Sequence, residues 1–209
     1  MSEHVWMCNP HMNLRNSRGF WAGLFTDEVP NKFFANQGEI ITKMFSGQPF
    51  KAEDLPSEFY YYEKTKFKQS LPQIFNATYV FVNEKAAEIF HAHDLGGGGL
   101  YPITLFENDK VTEIPANICI LNCGNAKDTV LVEESKAIEP FEAIEGTYRT
   151  SLPKPEDDDV VVSADCLEGP DIWVDPRMYE CFFVSDRFGR ALIKAKLKAA
   201  LDMQRCIVG

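Results

Sequence analysis

The sequence predicts an α+β fold in which a short, mostly antiparallel sheet packs with a few helices. Three observations favour this class. Short β-rich runs alternate with polar turns after residue 75, and two segments combine a capping residue with helical spacing of apolar side chains. The chain has 209 residues, and a chain of that length can bury roughly 70% of its unfolded surface without metals or disulfides.

The first part of the chain is rich in aromatic residues and shows only weak periodicity, which indicates a less regular lobe. Residues 31–46 could form a short strand and a short helix. Pro72 biases the residue before it away from helix, so this position is a suitable boundary. We therefore divide the chain into an aromatic-rich N-terminal lobe at 1–72 and an α+β domain at 73–209.

The first clear elements of the second part are a strand and a helix. The run at 79–82 is β-rich, and Asn83, a favoured N-cap residue, follows it. The segment 84–93 then begins with an acid and ends with histidines, the charge order that a helix dipole favours. Gly96 to Gly99 are expected to end this segment, because glycine adopts left-handed conformations easily.

Further β-rich runs predict short strands joined by polar turns. They lie at 100–106, 118–121, 129–132, 160–162, 172–174 and 181–184, with another possible at 206–208. Ser185 is the expected N-cap of a last helix over 186–200, which has one apolar stripe and one basic stripe.

The charge distribution limits the partners that this chain can have. The net charge is −10, and residues 101–175 hold 17 acidic and 5 basic side chains. Binding to phosphate requires a basic surface, so the sequence predicts no nucleic-acid partner. An acidic surface usually serves solubility, but it can also attract a basic protein.

The sequence also favours a cytoplasmic location. Apolar runs are far shorter than the roughly 18 residues of a membrane span, and the first residues lack the pattern of a signal peptide. No membrane partner is therefore predicted. The six cysteines form no C-x-x-C pair, so we expect them to be reduced and partly buried.

No motif predicts catalysis, a metal or a cofactor. The four glycines follow a helix rather than a strand, which disfavours a phosphate-binding loop. His91 and His93 would lie about 200° apart on a helix and could not converge on one ion. No G-x-S-x-G motif occurs. We therefore expect a protein that is not an enzyme.

A resemblance covers about residues 75–209. Its motifs are a strand and capped segment at 81–89, a glycine-rich turn and strand at 96–106, Leu121-Asn122, a segment at 132–136, and the run at 172–192. In this order they resemble bacterial immunity-protein family 11, whose members are encoded beside toxins. The resemblance implies tight, stoichiometric binding that occludes a cognate toxin in the cytoplasm of the producing cell.

The resemblance implies that acidic residues approach a basic surface of the toxin and that aromatic anchors add affinity. Two prolines and four successive acids predict an exposed loop at 151–159. Charge and expected exposure select the partner-binding candidates Glu133, Glu134, Glu156, Asp157, Asp158, Asp159 and Asp171.

Two other functions stay open on the sequence alone. A small-molecule hydrolase or another enzyme would require a pocket with convergent polar groups and perturbed pKa values. A self-associating adaptor would use the aromatic N-terminal lobe, and the run Phe59-Tyr60-Tyr61-Tyr62 is the feature to test.

Overall fold

The computed structural model describes residues 4–22, 30–151 and 154–209, and in the first helix it describes side chains from residue 38 on. Within these residues the chain forms three α-helices and thirteen strands, which is the predicted α+β class. The strands build a five-stranded sheet, a six-stranded sheet and a separate hairpin. None of the described helices combines the length and apolar character needed to cross a bilayer.

The three helices are α1 Pro30–Phe45, α2 Glu84–His91 and α3 Asp186–Lys194. Both predicted N-caps are confirmed. Asn83 Oδ1 accepts a hydrogen bond from the backbone N–H of Ala86 at 3.1 Å, and Ser185 Oγ accepts one from that of Phe188 at 3.4 Å. The last helix ends before residue 200 because Lys196 adopts a left-handed conformation, with φ of 64°.

The five-stranded sheet joins the two ends of the described chain. Its strands, in spatial order, are β10 Val161–Val162, β13 Met203–Val208, β1 Val5–Cys8, β12 Phe182–Ser185 and β11 Ile172–Trp173. β10 runs parallel to β13, whereas the other neighbours are antiparallel.

The six-stranded sheet is also mixed. Its order is β2 Phe20–Ala22, β3 Glu58–Tyr61, β6 Gly99–Phe106, β7 Glu113–Asn122, β5 Val80–Asn83 and β4 Ile74–Asn76. The β3 and β6 strands are parallel. The remaining strands, β8 Ile138–Pro140 and β9 Tyr148–Thr150, form the hairpin.

Two features of the sheets differ from the sequence expectation. The sheets are mixed rather than one short antiparallel set, because β3 and β10 each pair in parallel with a strand distant in sequence. The run at 129–132 is not a strand. Val130 makes only an isolated bridge to Val162, and a 3₁₀ turn follows at Val132–Glu134.

Strand pairing crosses the proposed boundary at residue 72 in both sheets. β1 lies between β12 and β13, and β3 connects β2 to β6. The first part of the chain therefore supplies strands to the same sheets as the second part.

β1 separates two hydrophobic clusters. Trp6 and Cys8 face α2, α3 and part of the six-stranded sheet, whereas Val5 and Met7 face the opposite side of the five-stranded sheet. This alternation is the two-residue period of a strand with apolar contacts on both faces. A third cluster lies in the six-stranded sheet, where Phe59 and Phe81 make an edge-to-face contact at 4.9 Å.

Candidate partner-binding surface

The predicted acidic loop is ordered by its own carboxylates. Asp159 Oδ2 accepts a hydrogen bond from the backbone N–H of Glu156 at 2.9 Å, and Asp157 Oδ1 accepts one from that of Arg205 at 2.9 Å. Asp158 adopts a φ of 74°, in the left-handed region where aspartate is tolerated. The loop is thus fixed against β13.

Nearby cations neutralise part of this loop. The Arg205 guanidinium donates two hydrogen bonds to Asp158, with Nε at 2.8 Å from Oδ1. These hydrogen bonds lower the pKa of Asp158, and the positive charge of Arg205 lowers it further. Desolvation of the carboxylate acts in the opposite direction but is outweighed. Lys198 Nζ lies 3.4 Å from Asp157 Oδ2. Among the loop acids, Glu156 is exposed and its carboxylate has no ion-pair partner in the described part of the chain.

Glu133 and Glu134 lie next to this loop. Both are exposed on the 3₁₀ turn. The backbone N–H of Lys136 donates to the carbonyl of Asp159 at 2.9 Å, so the segment that follows the turn is held against the loop. We call Glu133, Glu134 and Glu156 the acidic edge, because their two segments meet beside the edge strand β10.

Asp171 does not belong to this surface. Its expected exposure is wrong: the residue is 3% exposed. Its carboxylate accepts hydrogen bonds from Arg187, from Ser185 Oγ and from the backbone N–H of Asp94. Burial alone would raise the pKa of Asp171, but these bonds prevail and lower it. Asp171 therefore links α3 to the turn after α2.

An open groove of about 1150 Å³ lies beside the acidic loop. It is bounded by residues 12–16, by the loop, and by the turn between α3 and β13. Asn13 Nδ2 donates to the carbonyl of Ala199 at 2.6 Å and fixes the first of these segments. Four basic and three acidic side chains line the groove, so its own charge is slightly positive.

Two apolar side chains of the groove face solvent. Leu14 is 81% exposed and Met12 is 44% exposed. Large exposed apolar side chains grouped beside charged residues are typical of protein-binding surfaces. Sequence reasoning missed both, because only the pairing of β1 with β13 brings this early segment to the acidic loop.

The thiols are unfavourable as nucleophiles. All six cysteines are free and five are buried, whereas Cys119 is half-buried. Burial raises the pKa of each buried thiol for which a shift is resolved, and that of Cys206 rises to about 12. In the described residues, no group of three or more His, Cys, Asp and Glu side chains is arranged to hold a metal ion.

The aromatic run of the N-terminal lobe alternates between core and surface. Phe59 and Tyr61 are buried in β3, whereas Tyr60 is half-buried and the next residue, Tyr62, is 57% exposed. A substitution of all four residues would therefore remove core side chains. Only Tyr60 and Tyr62 are suitable for testing self-association.

Comparison with protein-family models finds no match for this chain, and comparison with curated proteins finds none with significant similarity. The resemblance to the immunity family therefore stays a prediction from the sequence motifs.

Proposed function

We propose that this protein is a cytoplasmic immunity protein that binds a cognate toxin through the acidic edge and the adjacent groove. The observation that carries the proposal is that two acidic segments are joined by a backbone hydrogen bond from Lys136 to Asp159, and that Glu133 and Glu134 on one segment and Glu156 on the other are exposed. The partner is a toxin with a basic surface. The immunity role itself comes from the sequence resemblance.

The charges support a fast and selective encounter. A protein with net charge −10 attracts a basic partner over about one Debye length, roughly 8 Å at physiological ionic strength. Surface carboxylates of this kind increase the association rate more than they increase the final affinity. The acidic edge would therefore orient the toxin during approach.

The groove would supply lasting contact. Leu14 and Met12 are exposed apolar anchors, and burial of such side chains at an interface slows dissociation. The segment that carries them is tied to the turn after α3 by Asn13 and Asn16. A preformed segment loses less conformational entropy on binding than a free one. Bound in this way, the protein would block the toxin surface that it covers.

Co-expression tests the immunity role. The protein encoded next to this chain is produced alone and together with it, and cell survival is measured. We expect the neighbour to be toxic alone, harmless in co-expression, and recovered with this chain as a one-to-one complex. A harmless neighbour that is not retained in a pull-down would refute the proposal.

Charge reversal tests the surface. The variant E133K/E134K/E156K should slow association about tenfold or more and flatten its salt dependence. The control E88K/E113K/E142K makes the same change in net charge at exposed glutamates elsewhere. If both variants slow association equally, net charge acts and the acidic edge is not the docking site.

A further inference from the structure

One face of the six-stranded sheet carries a row of aromatic side chains across three neighbouring strands. Trp21 in β2 lies opposite Tyr60 in β3, and Tyr60 lies opposite Phe106 in β6. The rings of Tyr60 and Phe106 stack, with their centroids 5.4 Å apart. The residues that precede these two, Phe59 and Leu105, are buried in the hydrophobic cluster on the opposite face. Because side chains alternate along a strand, the aromatic row points away from that cluster.

Tyr62 extends this row. Its backbone N–H donates to the carbonyl of Gly19 at 3.0 Å, so the two residues pair two positions away from Trp21 and Tyr60 and share their face. A Cβ at Gly19 would lie only 1.7 Å from Cε1 of Tyr62, which shows that the tyrosine ring covers the glycine. We call Trp21, Tyr60, Tyr62 and Phe106 the aromatic face.

The aromatic face is accessible to a partner. Trp21 is 39% exposed and Tyr62 is 57% exposed, whereas Tyr60 and Phe106 are half-buried. Exposed aromatic side chains that lie together are typical of interaction surfaces. Tryptophan and tyrosine, together with arginine, supply much of the binding energy of protein interfaces.

A carboxylate lies beside these rings. Glu58 is exposed and precedes Tyr60 by two positions in β3, so it belongs to the same face. Its Oε2 accepts a hydrogen bond from the Tyr60 hydroxyl at 2.5 Å, which holds the carboxylate next to the ring. Within the part of the chain that the structure describes, Glu58 forms no ion pair. Its negative charge is therefore available to a cation from outside.

The combination of rings and carboxylate matches the side chain of arginine. A guanidinium group is planar, stacks on aromatic rings and donates paired hydrogen bonds to a carboxylate. The ammonium group of lysine has the same charge but not the planar shape. An anionic ligand would be repelled by Glu58 and by the net charge of −10.

We propose that the aromatic face binds an arginine-bearing segment of a partner protein, whose guanidinium group pairs with Glu58 and packs against the neighbouring rings. This face belongs to the six-stranded sheet, whereas the acidic edge lies beside β10 of the five-stranded sheet. The inference does not depend on the proposed immunity function, and its failure would leave that proposal unchanged.

Nuclear magnetic resonance titration of the full chain with acetyl-Gly-Arg-Gly-amide and acetyl-Gly-Lys-Gly-amide tests this site. The two peptides have the same charge, so general attraction to an acidic protein acts equally on both. We expect the arginine peptide to shift the indole N–H signal of Trp21 and the amide signals of β2 and β3. It should bind about 2- to 5-fold more tightly than the lysine peptide. Equal affinities, or shifts confined to other surfaces, would overturn the proposal.

Variants identify the groups that bind. Glu58→Gln should weaken binding of the arginine peptide about 2- to 5-fold, and Tyr60→Leu should remove its advantage over the lysine peptide. Glu88→Gln makes the same change in charge at an exposed glutamate of α2 and should leave binding as in the native chain. Circular dichroism verifies the fold of each variant, and Trp21→Leu replaces Tyr60→Leu if the latter does not fold. Equal effects of Glu58→Gln and Glu88→Gln would contradict the assignment.

Sedimentation of the peptide-free chain tests whether a second copy of the chain covers the aromatic face instead. We expect the native chain and Tyr62→Ser to have the same oligomeric state. A native dimer that Tyr62→Ser dissociates would show that the face joins two copies, and this result would overturn the proposal.

Discussion

Arg187 binds the carboxylate of Asp171 through two hydrogen bonds, from Nε to Oδ1 at 2.7 Å and from Nη2 to Oδ2 at 2.5 Å. The carboxylate is almost fully buried, but the arginine side chain is 69% exposed. The pair thus lies at the surface of the core, where solvent weakens its electrostatic attraction.

Asp171→Asn should destabilise the fold by about 1–3 kcal/mol. The variant keeps the size of the side chain but loses the charge and an acceptor for Arg187, Ser185 or the backbone N–H of Asp94. Urea unfolding measures the change. The control is Asp165→Asn, at an exposed residue, which should change stability by less than about 0.5 kcal/mol. Equal effects of the two substitutions would contradict the role given to Asp171.

The lowered pKa of Asp171 predicts a specific acid dependence. The ionised carboxylate of Asp171 stabilises the fold fully above the pKa that it has in the unfolded state, about 3.9. This stabilisation is lost as pH falls through the lower pKa of the folded state. The difference in free energy of unfolding between the native chain and Asp171→Asn should therefore be constant from pH 5 to 7 and shrink below about pH 4. A difference that stays constant down to pH 2 would refute this linkage.

Asp175 should be more sensitive to substitution. It is fully buried, and its two oxygens accept hydrogen bonds from the backbone N–H groups of Thr129 and Val130, at 3.0 and 2.8 Å, and from Arg177. Asp175→Asn would place amide hydrogens against these donors and should cost about 3–5 kcal/mol. Asp128 contacts the same arginine but its side chain is 74% exposed, so Asp128→Asn should cost less than about 1 kcal/mol. Thermal unfolding compares the two variants, and similar losses would count against the buried network.

Two helical glycines should respond to alanine in opposite directions. A Cβ at Gly189 would lie 2.1 Å from Trp6 Cδ1, whereas one at Gly38 would meet no atom within 4 Å. Gly189→Ala should lower the free energy of unfolding by about 1–3 kcal/mol through overpacking. Gly38→Ala should raise it by about 0.5–1 kcal/mol through reduced backbone entropy in the unfolded state. Denaturant unfolding is the measurement, and stabilisation by Gly189→Ala would contradict the close contact.

Thiol labelling should distinguish Cys119 from the other five cysteines. The others are buried, so the reagent does not reach them in the folded chain, whereas Cys119 is half-buried. Partial burial raises the pKa of the Cys119 thiol too, so its exposure and not its pKa distinguishes it. Ellman's reagent should therefore modify about one thiol per native chain, and all six in denaturant. Cys119→Ser should abolish the native reaction. Rapid modification of several thiols in the native chain would show that the core opens.

Local features were predictable because neighbouring residues determine them. Asn83 and Ser185 cap their helices as expected, and the strand that precedes each cap is present. The parallel pairing of β3 with β6 was not predictable, because residue patterns show which face is apolar but not which distant strand lies alongside.

The candidate surface was predicted only in part. The acidic loop and Glu133 lie at the surface as composition suggests. Asp171 is instead buried, where Ser185 at the end of β12 and Arg187 in α3 donate hydrogen bonds to its carboxylate. Leu14 is exposed but was not predicted to belong to the surface. An apolar residue in an irregular segment carries no sequence signal of exposure.

The position of β1 affects synthesis as well as stability. Val5 pairs with Ser185 and Cys206, and at about 5–20 residues per second a ribosome takes roughly 10–35 s to reach the first of these partners. During that interval β1 has two unpaired edges and apolar side chains on both faces, a combination that favours aggregation. A nascent chain should therefore depend on chaperone binding near this strand until β12 and β13 emerge.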